Sequence, residues 1–405
     1  MSNSSLTIDM ITFKCLDILE MNSPLIRNIN RQYDSAFAVE GAKIGSDLRV
    51  RLPDRCLVTD GAALGVQDDN EQHTTMTLTN QKHVGLNFTT AEMKMNIDDF
   101  AERKLKPRIS QLAASIEADI AATSYKSVYQ SVGTPGTVPT TSLVLLQAQQ
   151  KLNEVNAMMD PRIAVVNPAA NAGLVEGLKG LFHSGPTISK QFRTGMMGSD
   201  VLGYSEIAMG QGIASHTSGT LLRTENATTV KTTIAAQGAT SVVLTQGSVT
   251  TTLKKGDVFT IAGVYSVNPQ SRVSTGALQQ FVVQEDVAFV SGDATVSISP
   301  AIYTAEHALA TVDAFPVATA VATVMGAVSG VYPQNLIFHE NAITLATADL
   351  LMPQGVDMAS RQVHNGISMR IVRQYDINND RMPCRIDVLY GIKVLRPELA
   401  VRLWG

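Results

Sequence analysis

From about His216 to Gly330 helical periodicity disappears from the chain, and Thr, Val, Ser and Gly dominate. Short β-forming runs recur there between turns: "TTVKTTI", "TSVVLTQ", "DVFTIAGVYSV", "QQFVVQEDVAFV" and "TVSISPAIY". Five or six short strands at this spacing predict a small closed barrel, because closure removes the unpaired edges that short strands otherwise expose. Sequence of α/β character flanks the segment on both sides, so the barrel is expected as an insertion at 216–330 in a host domain.

Ahead of it the chain reads as extended and helical pieces. In Asp9–Glu20 the residues Met10, Ile11, Phe13, Leu16, Ile18 and Leu19 recur at near-helical spacing until Asn22, Ser23 and Pro24 stop the run. This predicts a short amphipathic helix in an extended arm. Leu48, Val50 and Leu52 then alternate with Arg49 and Arg51 up to Pro53, which reads as a strand. Its expected partner is His73–Phe88, across the polar tip "TDGAALGVQDDNEQ". Such a two-stranded ribbon is marginal alone and needs a surface to lie on, which a second copy of the chain would supply.

Asp98–Val128 carries the strongest helical signal, with Leu105, Ile109, Leu112, Ile116 and Ile120 spaced by four, three, four and four. A continuous helix there spans about 45 Å. Pro107 lies inside it, so the first turns kink or the unbroken helix begins near that residue. The cluster Arg103, Lys104, Lys106 and Arg108 reads as a solvated helix face in preference to a nucleic-acid patch. Leu143–Val155 and Ala169–Phe182 are expected helices on either side of the buried-type strand "RIAVVNP". The chain closes with two predicted strands. Ile367, Met369, Ile371 and Tyr375 point one way in the first, and Cys384, Ile386, Val388, Tyr390, Ile392 and Val394 in the second, with "DINNDRMP" as the loop between them.

Composition narrows the function classes. Across 405 residues, 36 acidic against 32 basic side chains leave a formal charge of -4, without the basic footprint of a protein that grips phosphate backbones. Charged residues are 17% of the chain, below the usual quarter, which fits a surface partly facing other protein or one made soluble by Thr, Ser, Asn and Gln. Cys15, Cys56 and Cys384 lie far apart and form no CxxC pair, so neither a disulfide framework nor a structural zinc site is expected. The N-terminal "MSNSSLTIDMITFKCLDILEMN" does not read as a signal peptide or membrane anchor, and no apolar run reaches the roughly 18 residues of a span.

Nor do catalytic motifs surface: GxxxxGK[ST], GxGxxG after a strand, GxSxG and HExxH are all missing, and the seven histidines show no metal-ligand spacing. Asp376, Asn379 and Asp380 lack the register of a calcium loop and read as a hairpin turn. Lys254-Lys255-Gly256-Asp257 reads as an exposed β-turn in preference to a phosphate site, Gly supplying backbone freedom and Asp a local hydrogen bond. No catalytic, cofactor-binding or metal residue is assigned, and the chain is expected not to be an enzyme.

The order of arm, ribbon, long helix, α/β unit and closing strands resembles the Hong Kong 97 capsid fold. "LKKGDVFTIAGV" followed by "VNP", then "NLIFHENAI" and "VLYGIKVLRPELAV", resemble the coat-protein family of the short-tailed Salmonella transducing phage (P-22-type), in which a β-barrel interrupts the host domain. The matching positions are Lys255, Gly256, Asp257, Gly263 and Val264 in the insertion and Tyr390, Gly391, Arg396, Pro397 and Glu398 near the end.

The resemblance implies an α+β fold with an N-arm at 1–45 and an E-loop hairpin at 46–93. A P-domain with spine helix would occupy 94–135 and 360–405, an A-domain 136–215 and 331–359, and the inserted barrel 216–330. It implies a major capsid protein that assembles with itself into the hexamers and pentamers of an icosahedral head. Implied partners are a scaffolding protein, a portal protein and packaged double-stranded DNA held without sequence-specific binding, with no membrane; whether decoration proteins bind is left open. Assembly would take place in the bacterial host cytoplasm and end in the virion. Some shells of this fold crosslink Lys to Asn; Lys82 is the nearest candidate, although members with an insertion are not expected to crosslink. An encapsulin-like nanocompartment and a soluble α/β enzyme with a β accessory domain are the alternatives.

Overall fold

The computed structural model describes residues 8–21, 23–34, 48–52, 55–56, 61, 72–88, 101–177, 193–221, 228–247, 250–377 and 382–405. Most of the ribbon tip, the helix start at Asp98 and Asp99, the end of the helix expected at Ala169–Phe182 and the centre of the final hairpin loop lie outside the described residues. Five α-helices are described: α1 (Ile8–Met21), α2 (Pro24–Asn28), α3 (Lys106–Ser124), α4 (Ser142–Glu154) and α5 (Pro168–Gly177). The chain divides into two compact units.

The first unit comprises Met1–Val50, His73–Ile120 and Ile343–Lys393. Its six-stranded sheet places Asn30–Asp34 parallel to Ile343–Ala348 and carries Met358–His364, Ile367–Arg373 and Met382–Val394. Helix α1 forms where the 3.6-residue period predicts it, burying Cys15, Leu16 and Leu19 while Met10, Phe13 and Met21 stay exposed. Ser23 caps α2, its Oγ accepting from the Ile26 N–H at 3.4 Å, and Pro24 fits the first turn because its missing N–H has no helical acceptor to lose. Glu117 of α3 accepts from the Leu25 N–H at 3.5 Å.

The long helix departs from the expected Asp98–Val128 in its first turns. A single π turn, Ala101–Leu105, runs directly into α3, whose second residue, Pro107, has no N–H to offer the turn before it. The predicted apolar face holds, since Leu105, Ile109, Leu112, Ile116 and Ile120 are all buried.

The expected ribbon is corrected. Among the described residues Leu48–Arg51 pairs with His73–Met76 alone, whereas Asn80–Phe88 leaves it and pairs antiparallel with the chain's own Met382–Val394, from Asn80↔Tyr390 to Phe88↔Met382. Alternation reports which face of a strand is apolar and says nothing of which edge receives it. Part of the surface assigned to a second copy is therefore supplied within the chain. A buried carboxylate pins this arrangement: Asp387 is fully buried and accepts from Gln81 Nε2 (2.9 Å), Arg370 Nη2 (2.6 Å) and Arg385 Nε (3.1 Å). Lys82 Nζ is likewise engaged, lying 2.6 Å from Asp119 Oδ2 and 2.6 Å from Ser115 Oγ.

The second unit comprises Arg51–Gln72, Ala121–Ala342 and Val394–Gly405. A seven-stranded sheet forms its host layer, with Arg162–Val166 and Ala400–Trp404 buried at every position, apolar apart from Arg162 and Arg402, as strands covered on both faces are. Leu145, Ala148 and Leu152 form the buried face of α4 at spacings of three and four.

The insertion is a closed ring. Six strands follow the order Thr229–Val230, Ala239–Thr245, Asp293–Ile302, Ser274–Val283, Val258–Val267 and Ala322–Val324. The last returns to the first through Val230 N–H to Ala320 O (2.8 Å), Thr319 N–H to Val230 O (2.8 Å) and Ala322 N–H to Thr228 O (2.9 Å). Phe259 and Phe281, with ring centroids 5.8 Å apart, fill its interior with Val242, Leu244, Ile261 and Val296. The two ends of the segment meet in one ladder, Ser215–Thr217 against Val331–Pro333. An insertion whose ends are strand neighbours perturbs its host little, which is the topological reason this sheet accommodates so long a segment.

Candidate functional site

The turn Lys254–Asp257 does more than reverse the chain. Asp257 is 1% exposed, and its carboxylate accepts from three donors: His216 Nε2 at 2.9 Å, the Gly219 N–H at 3.0 Å and the Lys254 N–H at 2.8 Å. His216 Nε2 donates to the Asp257 carboxylate, and the Tyr125 hydroxyl lies 3.4 Å from Nδ1 on the other side of the ring. Burial, ahead of the effects of Arg402 and Asp257, pushes the Tyr125 phenol above its ordinary range. One carboxylate thus ties the barrel's first long strand to the strand by which the chain enters the insertion.

Gly256 completes the seat. Its φ of +101° lies in the left-handed region that favours glycine, and a Cβ there would sit 3.2 Å from Tyr125 Cε2 and 3.3 Å from His216 Cε1. Its carbonyl accepts from Arg402 Nη1 at 2.8 Å. Arg402 is fully buried between the rings of Tyr125 and Trp404, whose centroids lie 5.9 Å and 5.7 Å from the guanidinium carbon. Burial draws its guanidinium below the usual range, and Tyr125 and Asp257 act the other way.

A second fastening lies at Gln280 of the barrel. Its Oε1 accepts from the Ser131 N–H and from Lys151 Nζ, both at 2.7 Å, and its Nε2 donates to the Ser131 carbonyl at 3.1 Å. A side-chain amide here pairs with backbone as a neighbouring strand would. Nearby in the same unit, Arg396 Nε donates to Glu398 Oε1 at 3.2 Å, Arg55 reaches the same oxygen at 3.5 Å, and the Glu398 carbonyl accepts from Gln130 Nε2 at 3.1 Å. Pro397 opens the 3-10 turn that presents Glu398.

The predicted positions therefore fall into separate groups. Gly256 and Asp257 form the seat. Lys255 faces outward, its N–H bonded to Asp286 Oδ1 at 2.7 Å, and this bond first, then Lys254, holds the Asp286 carboxyl below the usual range. Gly263 (φ +79°) and Val264 lie where the register slips between Thr260↔Gln280 and Tyr265↔Leu278; the glycine bends the strand and the valine enters the barrel core. Tyr390 and Gly391 belong to the first unit. There the Tyr390 hydroxyl donates to Asp119 Oδ2 at 2.6 Å, burial and this bond raise its phenol, and a Cβ on Gly391 would meet the Thr77 carbonyl oxygen at 2.5 Å.

Sequence reasoning did not single out His216, Tyr125, Arg402, Gln280 or Lys151. Arg402 left the clearest trace, a lone charge in "AVRLWG" on an otherwise apolar strand. Chemically the site fastens modules: its Asp–His–Tyr chain is buried and saturated with partners. Among the described residues no group of three His, Cys, Asp or Glu side chains is placed to hold a metal ion, and no helix is long and apolar enough to cross a membrane.

The family profile described as "P22 coat protein - gene protein 5" matches residues 59–405. A search of curated proteins finds no match. Solved structures similar to the chain include one from Mycobacterium phage Che8, at 11% identity over 94% of this chain and 90% of that one, with a TM-score of 0.42. A virus-like particle from Pyrococcus furiosus is 10% identical over 98% of each chain with a TM-score of 0.40. The acid-stable capsid of the Helicobacter pylori bacteriophage KHP30 is 8% identical over 100% of this chain and 93% of that one, with a TM-score of 0.41.

Proposed function

The chain belongs to the P22 coat protein family and is a major capsid protein that forms an icosahedral phage shell; we propose that its copies assemble as hexamers and pentamers around packaged double-stranded DNA. Family membership over residues 59–405 carries the reading. In this reading 1–45 is the arm, 46–93 the E-loop, whose part ahead of Asn80 reaches a sister subunit, 94–135 with 360–405 the frame, and 136–215 with 331–359 the host of the barrel at 216–330. A scaffolding protein guides assembly in the host cytoplasm, a portal occupies one vertex, and the chain catalyses no reaction.

The seat gives the barrel its part in this scheme. A barrel whose entry and exit strands are adjacent closes through its own strands, and Asp257, Arg402 and Gln280 hold it in one pose relative to its own host sheet. A rigid projecting module makes a reproducible contact with a neighbouring capsomer, and weak contacts repeated over a closed lattice give a stable shell. The net charge of -4 suits an interior that holds DNA without seizing it.

Electron microscopy and sedimentation of the expressed full chain test the proposal. Closed particles of megadalton size, with DNA in the phage-derived ones, are expected. A discrete small oligomer at every concentration would favour a soluble enzyme, and closed particles filled with protein cargo a nanocompartment; either result overturns the proposal.

A further inference from the structure

The barrel strand Ser274–Val283 pairs with Asp293–Ile302 only at Val282↔Ser299 and Val283↔Ile298, and Pro300, which has no N–H to give a ladder, stands where the two strands part. The gap beyond is a cavity of about 130 Å³ whose lining includes Lys151, Glu154, Leu278, Gln280, Pro300 and Glu398. Lys151 enters it from α4 with its stem largely covered, and its amine donates to a neutral acceptor, the Gln280 side-chain oxygen, at 2.7 Å. Among the described residues no carboxylate comes within ion-pair distance of it; Glu154, one turn along the same helix, and Glu398 are the acidic residues that share the cavity. The other basic residue there, Arg55, is turned to Glu398 at 3.5 Å.

We propose that Lys151 is a covalent modification site for small uncharged aldehydes, which this cavity admits and whose carbonyl its amine attacks. A gap of about 130 Å³ favours a small electrophile, and the two carboxylates disfavour anionic carbonyl compounds. A largely covered lysine whose amine meets only a neutral acceptor is stripped of the solvation that favours its charged form, which is the general means of activating an amine nucleophile. Burial accordingly brings the Lys151 ammonium down to about 8, with Glu154 acting the other way. At pH 7 about a tenth of such an amine is neutral, against a few parts in ten thousand for an ordinary lysine.

The reaction needs no further reagent. The nitrogen lone pair bonds to the carbonyl carbon, the carbonyl π pair moves to oxygen, and the nitrogen gives up a proton as that oxygen takes one. Loss of the hydroxyl with the remaining amine proton, as water, leaves a C=N imine. Nothing in this step draws on capsid assembly, so the two proposals stand or fall separately.

The test is reductive alkylation of the folded full-length chain with propanal and cyanoborohydride, whose hydride and a solvent proton convert the imine to a secondary amine, followed by peptide mass spectrometry. At about pH 7 Lys151 is expected to react at least about tenfold faster than Lys14 or Lys254, both far more exposed, with a rate that levels off above about pH 8 and a selectivity lost in denaturant. Lys151 reacting no faster than Lys14, or at a rate still climbing beyond about pH 10, would overturn the proposal.

Discussion

Replacing Asp257 with alanine tests the seat most directly. The substitution removes the acceptor of three donors, and the geometry separates their costs. His216 Nε2 and the Gly219 N–H are buried bonds, so each is left stranded at about 1–3 kcal/mol, whereas the Lys254 N–H is only partly buried and water replaces its partner. Relief of a buried carboxylate offsets part of the sum, and a net loss of about 3 kcal/mol is expected. The chain carries its own reporter, because Trp404 is its single tryptophan, 1% exposed, 5.7 Å from the Tyr332 ring and 5.7 Å from the Arg402 guanidinium. Urea titration of the dissociated full chain, followed by tryptophan emission, should show the Trp404 transition moved about 1–2 M lower, with Asp257→Asn falling between variant and parent. An Asp257→Ala transition that coincides with the parent's would show that His216 and Gly219 find other partners, and the account of the seat would be wrong.

Two further outcomes follow from the first unit. Gly391→Ala places a Cβ 2.5 Å from the Thr77 carbonyl oxygen, a contact that backbone must relieve, so about 1–3 kcal/mol is lost and amide exchange accelerates across Asn80–Phe88; unchanged protection there would refute the close approach. Glu117 has its carboxyl raised by burial, against the opposing bonds from Leu25 and Ser23. A carboxyl raised on folding binds its proton more tightly in the native state, so its contribution is favourable at low pH and is lost as pH rises through the folded value. Glu117→Gln is therefore expected to raise the thermal midpoint at neutral pH and to lose that advantage under acid conditions; an equal gain at both would sink the assignment.

Much of the architecture was legible because it rests on short-range periodicity. The apolar stripe Leu105 to Ile120, the buried faces of α1 and α4, and the change to short β runs near His216 each follow from how often a side chain returns to one face. Pairing was not legible in the same way. Asn80–Phe88 offers an alternating pattern that suits either the ribbon or the terminal strand, and only the spatial arrangement of Gln81, Arg370, Arg385 and Asp387 selects the latter. The Lys254–Asp257 turn was identified as a turn, but Asp257 was credited with a local bond alone, since nothing in its neighbourhood announces His216 or Arg402.

What the chain's own order of residues decided is which segments become helix, strand or turn, that a Thr- and Val-rich barrel interrupts an α/β host, and, through its motifs, the capsid family to which it belongs. What only the tertiary structure decided is which edges meet and which polar atoms are taken out of water together. Periodicity is a local property carried by neighbouring residues. A buried carboxylate satisfied by donors about 40 residues away, or an arginine held between two rings, exists only once the chain has brought those groups into one desolvated place.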